Sequence, residues 1–177
     1  MKGDALIHPI EPVYDTNSEI LILGSFPSVQ SRLNRFFYGH PRNRFWQLLA
    51  SLYKESAPKS IESKKELLLS HHIALWDILA SCRIHGSADS SICQVSYNDL
   101  SLLIRTSSIR QILLNGQTAG IHYRRYLKRL LSEDKTSSYS SRLQTIPFAI
   151  LPSTSPANAS CSLQDLSTIW GKYLGML

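Results

Sequence analysis

A three-layer α/β/α fold with a central, mainly parallel four-stranded sheet follows from two observations on the sequence. Four short, largely apolar runs stand along the chain, the pattern of strands buried on both faces. Segments with apolar residues at helical spacing lie between them. Strand alternating with helix implies right-handed crossovers and a parallel sheet covered on both sides. The 177 residues suit one domain spanning 1–177, long enough to bury a core.

The elements follow in order. The first strand is Glu19-Ile20-Leu21-Ile22-Leu23, a fully apolar run after Glu19 that stops at Gly24. Asn43 to Tyr53 reads as a helix, with Phe45, Leu48, Leu49 and Leu52 at helical spacing and Asn43 as a good N-cap. Ile61 to His71 is a second helix, with Leu67 and Leu68 on one side. The second strand is Ile73 to Leu79. Tyr97 to Arg105 is a helix, with Asn98 or Asp99 near its start. The third strand is Ile109 to Gly116, and Gln117 to Leu131 is the longest helix. Ser132 to Ser141 is polar and Ser-rich and reads as an exposed loop. Pro147 to Pro152 is the fourth strand, and the helix Leu163 to Leu174 closes the fold.

Composition narrows the classes. Hydrophobic residues make up 43% and charged residues 18%, an ordinary globular balance. No stretch approaches the run of about 20 apolar residues that a membrane helix needs. The N-terminus lacks the apolar segment and small-residue cleavage site of a secretory signal. A cytoplasmic protein with no membrane partner is therefore expected; a monomer is expected as well. Cys82, Cys93 and Cys161 are odd in number and widely spaced, which is neither a disulfide framework nor an iron–sulfur set. No Cys-x-x-Cys or His-x-x-x-His pair suggests zinc, so neither metal nor cofactor is expected. The net charge of +6 favours a polyanionic partner. Arg32, Arg35, Arg42 and Arg44 surround one short segment. Arg124, Arg125, Lys128 and Arg129 sit on a helix whose plain reading is a solvated face.

In a parallel sheet, ligands bind beyond the carboxyl ends of the strands. That rule puts the site where Gly24, Leu79, Asn115 and Leu151 hand over to loops. Gly24-Ser25-Phe26-Pro27-Ser28 follows the first strand directly, and its small residues let backbone amides approach a ligand. The segment Phe37-Tyr38-Gly39-His40-Pro41-Arg42-Asn43-Arg44-Phe45-Trp46 is more specific. Phe45 and Trp46 read as core, but Tyr38, His40 and Asn43 put an aromatic, an imidazole and an amide into one loop. Leu151-Pro152-Ser153-Thr154-Ser155-Pro156-Ala157-Asn158-Ala159-Ser160 follows the fourth strand. Its hydroxyls and prolines make a stiff polar loop suited to gripping phosphates.

Taken together, Gly24-Ser25-Phe26-Pro27, the string Tyr38 to Trp46 and Leu151 to Ala157 resemble the uracil-DNA glycosylase superfamily. They are most similar to its hypoxanthine (deoxyinosine) branch. Ile112 to Ala119 resembles the superfamily's third strand and the turn after it. The likeness spans roughly Ile20 to Trp170. It implies a monofunctional DNA glycosylase of base excision repair, acting on double- or single-stranded DNA that carries a deaminated base. Hypoxanthine is the first choice, with uracil or xanthine next. Position by position, it implies that Asn43 is the catalytic amide and that Tyr38 stacks on the flipped base. It makes Gly24, Ser25, Phe26, Pro27, Tyr38 and His40 the base-side residues. Arg42, Ser153, Thr154, Ser155, Pro156, Ala157 and Asn158 become the DNA-side residues, the last loop acting as wedge and phosphate grip. The first loop here lacks the Asp or Asn that several branches use to activate water. Ser28 and Asn158 stand where the branch often has Gly and His, which bears on base selectivity.

Two other readings compete. A non-enzymatic nucleic-acid-binding α/β module explains the charge but not the aromatic–His–Pro–Arg–Asn string, and a base-sized pocket lined by Tyr38 and Asn43 would argue against it. A small-molecule nucleoside hydrolase lacks support from any Walker-type or Gly-x-Gly-x-x-Gly string. A lyase would need an activated lysine near the site, and the three loops contain none.

Overall fold

The computed structural model describes residues 5–86, 88–133 and 137–176. In chain order the elements are β1 (Leu6–Ile7), β2 (Ile20–Gly24), α1 (Val29–Asn34), α2 (Phe45–Tyr53), α3 (Ile61–Ser70), β3 (Ile73–Asp77), β4 (Leu79–Arg83), β5 (Cys93–Tyr97), α4 (Ser101–Thr106), β6 (Gln111–Asn115), α5 (Gln117–Glu133), α6 (Ser138–Thr145), β7 (Phe148–Leu151) and α7 (Leu163–Tyr173). The expected central sheet is present. Its four strands run parallel in the order β3-β2-β6-β7.

The apolar runs explain why this sheet is central. In β2, Ile22 joins a core cluster with Phe45, Leu48 and Leu49 of α2, Leu67 and Leu68 of α3, and Leu166 and Trp170 of α7. Leu21 and Leu23 join the opposite cluster with Leu103 of α4, Tyr123 of α5 and Leu143 of α6. Successive residues of a strand face opposite sides, so one run of five residues feeds two layers of helix. Local signals set the helix ends. Ser28, Ser60 and Ser162 each accept from a backbone amide at the start of α1, α3 and α7, and Ser60 and Ser162 form reciprocal capping boxes.

Four expectations need correction. The run Ile73 to Leu79 is not one strand: β3 leaves the parallel sheet at Asp77, and β4 enters an antiparallel sheet ordered β1-β4-β5. Asn98 enforces the break, its side-chain amide donating to the carbonyls of Asp77 at 2.9 Å and Leu79 at 3.2 Å. The helix expected from Tyr97 begins at Ser101, because Tyr97 closes β5 and Asp99 Oδ1 accepts from the Ser101 amide at 2.8 Å. The Ser-rich stretch 132–141 is not all exposed loop. Ser137 caps α6, and Tyr139 and Ser140 are buried, with the hydroxyls of Tyr139 and Tyr126 hydrogen-bonded to each other; residues 134–136 of that stretch lie outside the described residues. Lastly, α2 begins at Phe45 rather than Asn43, although Asn43 Oδ1 does accept the Phe45 N–H at 3.0 Å.

Candidate active site

The carboxyl ends of the parallel strands bring one row of residues together. Gly24 is in register with Asp77, and Asn115 with Leu151. Two residues earlier along β2, β3 and β6, Ile22, Leu75 and Leu113 pack beneath α2, α3 and α7, so the row faces the same layer. Here the apolar pattern stops. Asp, Gly and Asn replace core residues and form the floor of a cavity of about 790 Å³. A Cβ on Gly24 would stand 2.1 Å from Asp77 Oδ1 and 3.2 Å from the Tyr38 hydroxyl. Only glycine leaves that space open.

A directed chain of hydrogen bonds crosses this floor. The Phe45 backbone N–H donates to Asn43 Oδ1 at 3.0 Å. A backbone N–H can only donate, so the orientation of the Asn43 amide is fixed. The same logic applies to Asn115, whose Oδ1 accepts the Thr154 N–H at 3.0 Å. Asn115 Nδ2 therefore donates to Thr154 Oγ1 at 3.0 Å, and that hydroxyl passes its own proton to Asn43 Oδ1 at 3.0 Å. The consequence is chemical. The Asn43 carbonyl is occupied from two sides, and its Nδ2 keeps two hydrogens for the cavity it lines.

Arg44 holds the last loop in place. Its guanidinium donates to the carbonyls of Ser155 at 2.8 Å and Asn158 at 2.9 Å, and also to those of Thr154 and Cys161. Arg44 is one of the four arginines around the middle segment whose charge favours a polyanion; the fold uses it internally. Its backbone N–H also bonds the Thr154 carbonyl at 3.1 Å, so the last loop docks on the start of α2.

Tyr38 has a left-handed backbone, φ 51°, a costly conformation for a bulky side chain. Its ring lies 4.1 Å from that of Phe45. The hydroxyl is buried beside the Asp77 carboxylate and the Asn115 amide. Burial first, then the Asp77 charge, hold the phenol far above its ordinary range, so it remains a neutral donor. Asp77 is only 4% exposed. His8 Nε2 meets its Oδ2 at 2.9 Å, and the His8 ring sits edge-on to Phe26.

The expected residues fall into three groups. Gly24, Ser25, Phe26, Pro27, Tyr38, Asn43, Ser153, Ser155, Ala157 and Asn158 line the cavity. Thr154 also lines it but is fully buried, and its hydroxyl and amide are spent on Asn43 and Asn115. It shapes the site and has no hydroxyl free for DNA. His40, Arg42 and Pro156 are outside the cavity lining. The His40 Nδ1 accepts the Arg42 N–H at 3.1 Å, which closes a local turn. Sequence reading missed His8 and Asp77 as site residues and gave Asn115 only as a strand end at the site, without a role. The signal for the last two was a polar residue ending an apolar run, at Ile-Ala-Leu-Trp-Asp77 and Gln-Ile-Leu-Leu-Asn115. His8 carried no signal, since its partner is 69 residues away.

A parallel sheet with three loops converging on a cavity at its carboxyl edge is the frame of a site that takes a small ligand or one group of a larger one. The family model of the uracil DNA glycosylase superfamily matches residues 11–172, and the chain belongs to that superfamily. It is a DNA glycosylase by class, with DNA as its substrate. A hypoxanthine DNA glycosylase of Methanosarcina acetivorans is 36% identical over 148 residues, 82% of this chain and 84% of the relative. One of Methanosarcina barkeri is 36% identical over 111 residues, 62% of this chain and 70% of the relative. The solution NMR structure of a candidate uracil DNA glycosylase from Methanosarcina acetivorans superposes with a TM-score of 0.73. It shares 33% identity, and the match covers 93% of this chain and 94% of that one. No helix among the described residues is long and apolar enough to cross a membrane.

Proposed function

We propose that this chain flips a deaminated base out of DNA, hypoxanthine before others, and hydrolyses its N-glycosidic bond as the first step of base excision repair. The observation that carries the reading is the Asn43 amide, locked through its carbonyl and presenting its NH₂ edge to a cavity at the end of the sheet. The names of the two Methanosarcina relatives support hypoxanthine as the base.

The chemistry fits such a site. A base stacked in a duplex must leave it to be reached, at a cost of a few kcal/mol. Stacking on the Tyr38 ring would return about 1–3 kcal/mol. As the glycosidic bond breaks, its electron pair passes to the base and the sugar becomes cationic. Water then adds to the sugar carbon, and the proton it gives up ends on the departed base anion, which leaves as the neutral base. A donor edge suits the negative charge growing on the base, and Asn43 Nδ2 is such an edge. An uncharged amide adds no positive charge beside the sugar cation. The first loop, Gly24 to Pro27, is where the resemblance puts the water. The lining of the cavity by both Tyr38 and Asn43 favours this reading over a non-catalytic binding module. The enzyme is read as a monomer, and as intracellular because its substrate is chromosomal DNA.

The test is single-turnover incubation with duplexes carrying one hypoxanthine, uracil or xanthine, followed by alkaline strand scission. Cleavage at hypoxanthine ahead of the others is expected. No cleavage at any deaminated base would end the reading, and cleavage of free deoxyinosine alone would replace it with a nucleoside hydrolase.

A further inference from the structure

We infer that Asp77 is the specificity-determining residue of the pocket: its free carboxylate oxygen accepts the ring N–H of a lactam base, while Asn43 Nδ2 donates to the adjoining carbonyl. The inference rests on the glycosylase reading above and names the chemical feature by which the base is chosen.

The geometry starts with what is taken and what is left. Asp77 is buried at the floor, and His8 occupies its Oδ2 at 2.9 Å. Its Oδ1 points over the α-carbon of Gly24, in the space a side chain there would fill. No hydrogen bond to Oδ1 occurs among the described residues, and Asp77 lines the cavity. The Tyr38 hydroxyl borders the same space, buried beside the Asn115 amide. Asn43 contributes an unpaired donor, its Nδ2. The floor is therefore an acceptor beside a donor, and each is fixed in kind. An ionised carboxylate can only accept, and the Asn43 edge can only donate.

Deamination makes the complementary pattern. Adenine and cytosine present a bare ring nitrogen, an acceptor, beside an amino donor. Their deaminated products present a ring N–H beside a carbonyl, which is a lactam. Hypoxanthine, xanthine and uracil share that edge, as do guanine and thymine, so the carboxylate separates lactam bases from adenine and cytosine and leaves the exclusion of guanine and thymine to the shape of the pocket. Against Asp77 Oδ1, the N–H of a lactam forms a charge-assisted hydrogen bond. The lone pair of adenine would instead face a carboxylate, two acceptors with no proton between them. A site built to bond a substrate N–H rejects an analogue lacking it far more strongly than an apolar pocket rejects a change of size. His8, by holding Oδ2, is the positioning residue that aims Oδ1.

The experiment uses the wild-type chain first, so that folding of a variant is not at issue. Single-turnover excision is measured on duplexes carrying hypoxanthine, 1-methylhypoxanthine, adenine or uracil. The methyl group removes the ring N–H and keeps the carbonyl. We expect 1-methylhypoxanthine to be cut at least about 100-fold more slowly than hypoxanthine. Asp77→Asn follows, because its amide can turn an N–H toward a bare ring nitrogen. In that variant hypoxanthine excision should fall about 100-fold while the adenine-to-hypoxanthine ratio rises. Affinity for a duplex with an abasic site should stay unchanged, since there is no base to read. Equal cutting of hypoxanthine and its 1-methyl form, or an unchanged base ratio in Asp77→Asn, would overturn the assignment of Asp77 alone. A wild-type chain that cuts no lactam base would instead overturn the glycosylase reading beneath it.

Discussion

Thr154→Val is the sharpest perturbation of the hydrogen-bond chain that fixes Asn43. Valine keeps the shape of threonine and removes only the hydroxyl. Thr154 is fully buried, so no water replaces what is lost. Asn115, also buried, would lose the acceptor for its Nδ2, and an unsatisfied buried donor costs about 1–3 kcal/mol. For a chain of this size each kcal/mol lowers Tm by about 2–4 °C. A fall of roughly 2–12 °C is therefore expected in thermal unfolding. Asn43 would keep the Phe45 N–H but lose its second anchor, leaving the amide free to turn. Turnover should fall between about 10- and 100-fold, less than on deleting a preorganised donor outright. Thr154→Ser restores the hydroxyl and should recover most of the rate while losing a little packing. The paired assays are thermal unfolding and single-turnover cleavage of a hypoxanthine duplex. Wild-type Tm and rate in Thr154→Val, or equal damage from Thr154→Ser, would show that the chain does not hold the site.

Asn43→Ala should cut about 100-fold or more slowly in single turnover while remaining folded; near-normal cleavage would end its assignment. His40→Ala should lose only a few-fold, because the imidazole lies outside the cavity and closes a turn, and a loss equal to that of Asn43→Ala would contradict this. Tyr38→Ala should weaken lesion binding by about 1–3 kcal/mol, but it also uncovers Phe45, so its Tm should fall too; Tyr38→Phe keeps the ring and separates the effects, and unchanged lesion binding in Tyr38→Ala would exclude stacking. Arg44→Lys cannot reproduce the fork to four loop carbonyls, so thermal unfolding should occur at lower temperature, and an unchanged Tm would refute the clamp. DNA affinity should fall steeply between low and physiological salt as phosphate contacts release counterions; a flat titration would contradict the charge argument.

What was legible in the sequence follows from where the information lies. The central strands were legible because burial on both faces writes an unbroken apolar run, as in Ile20 to Leu23. The long helices were legible from spacing and caps, as at Ser162 of α7. The antiparallel sheet was not, because β1 has two residues and the strands of the pair β4–β5 are irregular in register. The break at Ile78 depends on Asn98, whose side chain reaches back 21 residues to Asp77. No local pattern records such a reach. Helix α6 was hidden because its serines read as loop, while its stability comes from Tyr139 packing and from Arg142 donating to carbonyls near Ser107. In the site, Asn43 and Tyr38 stood out because they interrupt a loop with chemistry. Asp77 and Asn115 were masked by the strands they end.

The arrangement also explains how a glycosylase can manage with no carboxylate or Asn in its first loop. A polar group helps a transition state when it is already oriented, because reorganising it during the reaction would consume the gain. Here each candidate group is fixed by the scaffold. Asp77 and Asn115 end strands of the central sheet. Asn43 is tied to the first amide of α2, and Thr154 belongs to a loop that Arg44 fastens to that helix. His8 crosses from the N-terminal segment to hold Asp77. Among the described residues the unpaired edges of this floor are Asp77 Oδ1 and Asn43 Nδ2, and both residues line the cavity. They lie on the side of the sheet where Gly24 gives up its side chain. The empty space above Gly24 is thus the feature on which the other groups depend. Gly24→Ala would drive a methyl group into Asp77 Oδ1 and should abolish excision with the rest of the floor intact. Retained excision in a folded Gly24→Ala protein would mean that the base binds elsewhere in the cavity.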